Sequence, residues 1–198
     1  MSDNHKVDVP EGISGDWQVE RFEVTEEQAS FARLRASLHA PYRESPPAGY
    51  YTRLMRRGWL VMSDTPAEIR DHRWAISEAK GSVLVNGLGL GVVVQAMLNR
   101  PQVEHLTVIE ISPDVIALVG PHYQSRYGDR LEIIEADALT WKPPKGVRYD
   151  VVWHDIWGDI CSDNLPEMHK LHRKYGRRTD WQGSWCRAEC EWQRGTGY

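Results

Sequence analysis

Apolar residues recur in two rhythms along this chain, and the switches between them mark its expected elements. Trp17–Val24 alternates well enough for a half-buried strand. Thr25-Glu-Glu-Gln28 has capping-box spacing, and in the helix that it opens Phe31, Leu34 and Leu38 share one face. Pro41 to Tyr50, with Pro46-Pro47, reads as a loop, and Tyr51–Arg57, Gly58 and Trp59–Met62 read as a hairpin. Thr65-Pro66-Ala67-Glu68 combines an N-cap residue, Pro at the first helical position and Glu at the third, which starts a helix running to about Ala79. Strands and helices then alternate: strand 82–86, helix 91–99, strand 105–111, helix 113–125, strand 131–136 and strand 148–155. That alternation predicts an α/β fold with a parallel sheet.

The two ends fit this rhythm poorly. Residues 1–15 are polar, with Gly12 and Gly15, and are expected to fray. After Asp159, Leu165–Lys174 reads as a helix, and Trp181, Trp185, Ala188 and Trp192 recur at helical spacing. No β-run stands out in that tail. The expected division is residues 1–80 as an N-terminal hairpin and helical segment, and 81–198 as the sheet domain with a helical tail.

Candidate chemistry is concentrated where the core strands end. Val83–Val85 runs into Asn86-Gly87-Leu-Gly89-Leu-Gly91, and the next strand ends in Glu110. Glycines after a strand let backbone approach a ligand, and a carboxylate at the following strand end can accept hydrogen bonds from two vicinal hydroxyls. This pairing points to a nucleoside-bearing cofactor. The dinucleotide fingerprint needs a third glycine where Val92 stands; the chain instead has G-x-G-x-G, ending at Gly91. Further along, Ile133-Ile-Glu-Ala-Asp137-Ala138 sets an acid and a small residue where they could meet an adenine amine and ring, or simply cap a loop. Tyr149-Asp-Val-Val-Trp-His154-Asp155 delivers Asp155 to the same edge, with Asp159 four residues on. Asp155 and Asp159 are candidate catalytic acids, with substrate orientation or loop capping as their other readings. His154 should point to the opposite face of its strand, so Asp155 is the favoured proton acceptor.

Gly87, Gly89, Gly91, Glu110, Asp137, Ala138 and Asp155, in this order, resemble the binding edge of class I S-adenosylmethionine (SAM)-dependent methyltransferases. The resemblance covers roughly residues 80–160. Val85, two residues before the first glycine, and Val-Ile-Glu110-Ile-Ser-Pro-Asp114-Val-Ile are similar to the spermidine-synthase-like branch, as is the small β-segment upstream. It implies a Rossmann-like sheet in the order 3-2-1-4, SAM as cofactor, and transfer of a methyl or aminopropyl group. Two departures speak against aminopropyl transfer: Leu90 stands where that branch has an aspartate, and Asp155-Ile-Trp-Gly-Asp159 replaces its D-S-S-D-P. The full fold also has a fifth strand and a reversed hairpin. The tail after Asp159 suggests a C-terminally truncated sheet of four or at most five parallel strands.

Composition adds bounds. The chain has 198 residues, a net charge of −4 and 41% hydrophobic residues, enough for a full core. No apolar run is long enough to span a bilayer, and the first residues lack a signal-peptide core, so no membrane association is expected. Three cysteines without framework spacing fit a reducing cytoplasm. Nine tryptophans against two phenylalanines is unusual; Trp153 and Trp157 flank the proposed edge, as stacking surfaces or as core filler. His169/His172 and Cys186/Cys190 have helical spacing, yet zinc would require two helices to converge, and no metal is expected. The run Lys170–Arg178 holds five cations and reads as a solvated helix face. Nucleic acid is not an expected partner. The leading reading is methyl transfer to a small-molecule substrate; aminopropyl transfer and nucleoside binding without turnover are the others. The acceptor side is expected from Trp153, Trp157 and the N-terminal segment, or from a second subunit in a homodimer.

Overall fold

The computed structural model describes residues 6–38 and 45–196. Strands β1 (Gly12–Ser14), β2 (Trp17–Val24), β3 (Gly49–Arg56) and β4 (Trp59–Ser63) form an antiparallel meander in that order. β3 and β4 turn through Arg57 and Gly58, both at positive φ (50° and 79°), which is the type I′ geometry matching strand twist. Contrary to the expectation of a frayed start, the described residues before β1, 6–11, are tied to the fold. Val9 is fully buried, and the Val7 N–H donates to the Asp64 carboxylate (3.0 Å). Helix α1 (Glu26–Leu38) begins with the expected capping box: Thr25 N donates to Gln28 Oε1 (2.9 Å), and Gln28 N donates to Thr25 Oγ1 (3.2 Å). Phe31 and Leu34 are exposed on it, whereas Ala29 is buried. The Leu38 side chain and residues 41–44 of the expected loop lie outside the described residues.

The helix expected from residue 65 to 79 is two: α2 (Pro66–Asp71) and α3 (Arg73–Glu78), separated at His72. His72 takes φ −90° and ψ −4°, and its imidazole is turned into the interior at 1% exposure. The Thr65 side chain makes no capping bond; instead the Glu68 carboxylate reaches back to the Ser63 N–H.

The second sheet is fully parallel: β5 (Gly81–Asn86), β6 (Val103–Glu110), β7 (Leu131–Glu135), β8 (Tyr149–His154) and β9 (Thr179–Ser184), in spatial order β7-β6-β5-β8-β9. Counted from its first strand this is 3-2-1-4-5, a Rossmann-like order whose reversal lies between β5 and β8. Strand alternation divides the core. Val83, Val85, Leu106, Val108 and Val151 pack with helices α3, α4 (Val92–Leu98) and α5 (Pro113–Tyr127). Leu84, Ile109 and Val152 face the other way, onto Leu171 and Tyr175 of α6 (Leu165–Tyr175). Helices thus cover both faces.

β9 is the one further parallel strand that the expected sheet allowed, although no β-run stands out in the tail sequence. Trp181 belongs to β9, not to a helical face shared with Trp185, Ala188 and Trp192; only Ala188 and Trp192 lie on α7 (Arg187–Thr196). The strand is held by Trp181 stacking on Trp153 at 6.3 Å between centroids, and Gly183 makes room, since a Cβ there would meet both indoles at 2.8 Å. No antiparallel pair occurs among the described residues of 165–196.

Candidate functional site

The carboxyl ends of β5, β6, β7 and β8 open into a cavity of about 640 Å³, within the usual size of small-molecule sites. Of the residues marked out by sequence, Gly87, Gly89, Glu110, Asp137, Ala138 and Asp155 line it together. Gly91 does not: it is the N-cap of α4, and a Cβ there would run into the Tyr123 ring. Asp159, a candidate catalytic acid, is exposed and off the cavity wall, because the chain leaves the wall after Gly158. Trp153 is also removed from the edge. It is buried under β9 and T-stacks on His72, so its role is core packing. Trp157 does line the cavity, with Nε1 donating to Glu167 (2.9 Å).

The glycines earn an explanation different from the one the sequence suggested. A Cβ on Gly87, at φ 101°, would strike the carbonyl oxygen of Asp155, and one on Gly89, at φ 52°, would strike Met62 Sδ. Both therefore serve close packing of the chain on itself as well as facing the cavity. Met62 arrives from β4 of the other sheet, and its sulfur accepts a hydrogen bond from Leu90 N (3.0 Å). The Leu90 carbonyl in turn accepts from Tyr123 OH (2.8 Å), and the Leu90 side chain is fully buried. An acid at position 90 would find no solvent there.

Glu110 ends β6 at 8% exposure. Its Oε2 accepts from Leu88 N (2.8 Å) in the glycine turn, and its Oε1 from Ser112 N (2.9 Å), before α5. A carboxylate holds about four acceptor sites, so one on each oxygen is left for hydroxyls. Asp137 is spanned in the same way: Oδ1 accepts from Leu139 N (2.8 Å) and Oδ2 from Thr140 Oγ1 (3.0 Å). The loop-capping reading of Asp137 is realised, at a position that also borders the cavity.

Asp155 is the electrostatic centre. Its N–H continues the sheet onto Asn86 O (2.8 Å), and its side chain is 18% exposed. Desolvation, followed by repulsion from Glu68, Asp71 and Glu110, pushes its carboxyl up to about 8. His72 Nε2 stands 3.8 Å from its Oδ2. His154, as alternation predicts, lies on the opposite face. There Asn86 Nδ2 meets its Nδ1 (2.7 Å) and Gln182 Oε1 its Nε2 (3.3 Å), and burial pulls its imidazole down to about 3. It is a neutral structural histidine.

Sequence reasoning assigned the wall opposite the glycine turn to the N-terminal segment but named none of its residues. Trp17, Leu54, Arg56, Leu60, Val61 and Met62 of the antiparallel sheet line the cavity, and Glu68 and His72 join them. Arg56 lies over the Trp17 ring at 5.1 Å. The two-pair zinc arrangement does not form: no group of three or more potential metal ligands comes together among the described residues.

No protein-family model matches the chain, and no curated protein does. Solved structures do. The 23S rRNA methyltransferase ErmE is 18% identical over 58% of this chain and 44% of its own, with a TM-score of 0.45. The CcbJ methyltransferase from Streptomyces caelestis is 15% identical over 58% and 45%, at 0.46. The N-methyltransferase NodS from Bradyrhizobium japonicum is 15% identical over 57% and 60%, at 0.43. The chain thus spans less than half the length of the first two.

Proposed function

We propose that the chain binds SAM in this cavity and transfers its methyl group to a small acceptor. The observation that carries the reading is the convergence of Gly87, Gly89, Glu110, Asp137 and Asp155 on one cavity at the carboxyl ends of the strands, where such sheets bind ligands. Glu110 would take the ribose hydroxyls on its remaining acceptor sites, and the Asp137–Ala138 turn would border the adenine. The cavity holds four other acids, Glu68, Glu110, Asp137 and Glu167, besides Asp155 and against Arg56, a charge balance suited to a cationic ligand. SAM supplies an already activated methyl group, so the protein's tasks are alignment and exclusion of water. The apolar wall of Leu54, Leu60, Val61 and Met62 suits the second task.

Asp155 is the residue to hold or take a proton. Raised to about 8, its carboxyl is protonated at neutral pH in the free protein. A bound sulfonium would favour the carboxylate, which could then accept a proton from the acceptor. Aminopropyl transfer is less well supported. Leu90 is buried in the core where an acid would have to stand, and Asp159 faces away from the cavity. The test is incubation with methyl-labelled SAM and fractionated small-molecule extract, beside decarboxylated SAM with putrescine. Label should reach a small acceptor in the first reaction and fall at least tenfold in Asp155→Asn, with little spermidine in the second. Robust spermidine formation without methyl transfer would reverse the assignment.

A further inference from the structure

The opposite end of the parallel sheet carries the opposite charge. A second pocket of about 540 Å³ is lined by Arg148, Arg173, Lys174, Arg177 and Arg178, with Gly146, Val147 and Gly176 between them. Arg148 immediately precedes β8, and Arg178 immediately precedes β9. The pocket therefore lies at the amino ends of these strands, whereas the acidic cavity lies at the carboxyl ends. In sequence the run Lys170–Arg178 reads as a solvated helix face. The fold instead wraps it around the end of α6 and brings Arg148 in from another loop.

Two of the five cations, Arg148 and Arg178, are held by hydrogen bonds beside the pocket, and Lys174 is turned toward Ala138 on the acidic cavity's wall. Arg148 Nη1 donates to Arg177 O (2.6 Å) and its Nη2 to Asp180 Oδ1 (3.0 Å). Arg178 Nη1 reaches the carbonyls of Pro144 (3.5 Å) and Val147 (3.4 Å), and Lys174 Nζ donates to Ala138 O (2.8 Å). Arg173 and Arg177 are exposed at the rim. Among the described residues Asp180 is the one carboxylate in ion-pair contact with the cluster. Lys174 is half-buried, and its ammonium is pulled below the usual lysine range by desolvation and by repulsion from Lys170 and Lys142, against the attraction of Asp137. Gathering so many cations around one hollow costs Coulomb energy that a multivalent anion would recover. Guanidinium forks fixed in advance lose little freedom on meeting phosphate oxygens.

We propose that this pocket is a binding site for phosphate groups, separate from the cofactor cavity. The chemistry fits two sources, a compact free polyphosphate and the backbone of a single-stranded RNA. Because the net charge is −4, binding depends on this local cluster and not on the chain as a whole.

The test is fluorescence anisotropy of the full chain with a labelled single-stranded RNA, titrated at several salt concentrations, with inorganic tripolyphosphate as competitor. Binding should weaken steeply with salt, with a log–log slope of about −3 if four phosphates are neutralised. Arg173→Glu/Arg177→Glu should reduce affinity at least tenfold, and the milder Arg173→Gln/Arg177→Gln should reduce it less. Arg33→Glu/Arg35→Glu on exposed α1, an equal change in charge, should leave affinity within about twofold, the size expected of remote screened charges. Displacement by tripolyphosphate assigns the site to compact phosphates; RNA binding that tripolyphosphate fails to displace assigns it to the extended backbone. No binding of either probe, or equal losses in the pocket and α1 variants, would overturn the proposal. Circular dichroism of each variant separates lost binding from lost fold.

Discussion

Two carboxylates in the cavity differ in what holds them, and their substitutions should differ accordingly. Glu110 satisfies the backbone N–H groups of Leu88 and Ser112, so it supports the glycine turn besides facing a ligand. Glu110→Gln can accept only one of these bonds. It should weaken SAM binding by about 1.5–3 kcal/mol, the range for hydrogen bonds to charged groups, and lower stability by about 1 kcal/mol. Calorimetry and urea denaturation check the two effects; unchanged affinity with reduced stability would make Glu110 purely a loop support. Asp155 predicts a pH effect. Its carboxyl, raised to about 8, is protonated in the free protein at neutral pH. A sulfonium nearby favours the carboxylate, so SAM binding should release a proton and tighten as pH rises from about 6 to 8, losing this dependence in Asp155→Asn. Titrations in buffers of different ionisation enthalpy would detect that proton. Its folding linkage has the opposite sense: the raised value means this group's contribution is fully present below the ordinary aspartate value, near 4, and is lost as pH rises toward about 8.

At the scale of elements, legibility followed the strength of local patterns. The apolar runs of β5, β6 and β8 and the capping box of α1 declare themselves in sequence because each element carries its own burial or capping signal. β9 does not: Thr-Asp-Trp-Gln-Gly-Ser has neither alternation nor β-branched residues beyond Thr179, and pairs only with β8. Its stability comes from a long-range partner, the Trp153 indole under Trp181. Gly183→Val should therefore destabilise the protein by about 2–3 kcal/mol through overpacking against the two indoles, although valine is the better strand former. Denaturant unfolding measures it; a stabilised variant would mean the stacked pair is not rigid. The split between α2 and α3 was hidden for the same reason, since burial of His72 beside Trp153 and Asp155 is a tertiary choice. His154 and His172, held neutral by burial to about 3 and about 4, contribute stability that is lost as pH falls below the ordinary histidine range toward those values. His172→Gln should flatten that part of the acid-denaturation profile.

At the scale of the whole molecule, two sheets make one site. The strand-end acids were legible because the doubly wound order fixes where carboxyl ends gather. The opposing wall was legible only as the N-terminal segment, because nothing local in Trp17, Leu54 or Met62 says which residues of the antiparallel meander will face the glycine turn. Among the described residues no helix is long and apolar enough to cross a membrane. The central claim is that this shared cavity takes SAM and not a dinucleotide, and isothermal titration of the full chain with SAM, S-adenosylhomocysteine and NAD tests it most directly. The account predicts one-to-one binding of SAM and S-adenosylhomocysteine in the micromolar range, weakened in Glu110→Gln, with no measurable heat from NAD. Saturable NAD binding with no response to SAM would contradict it.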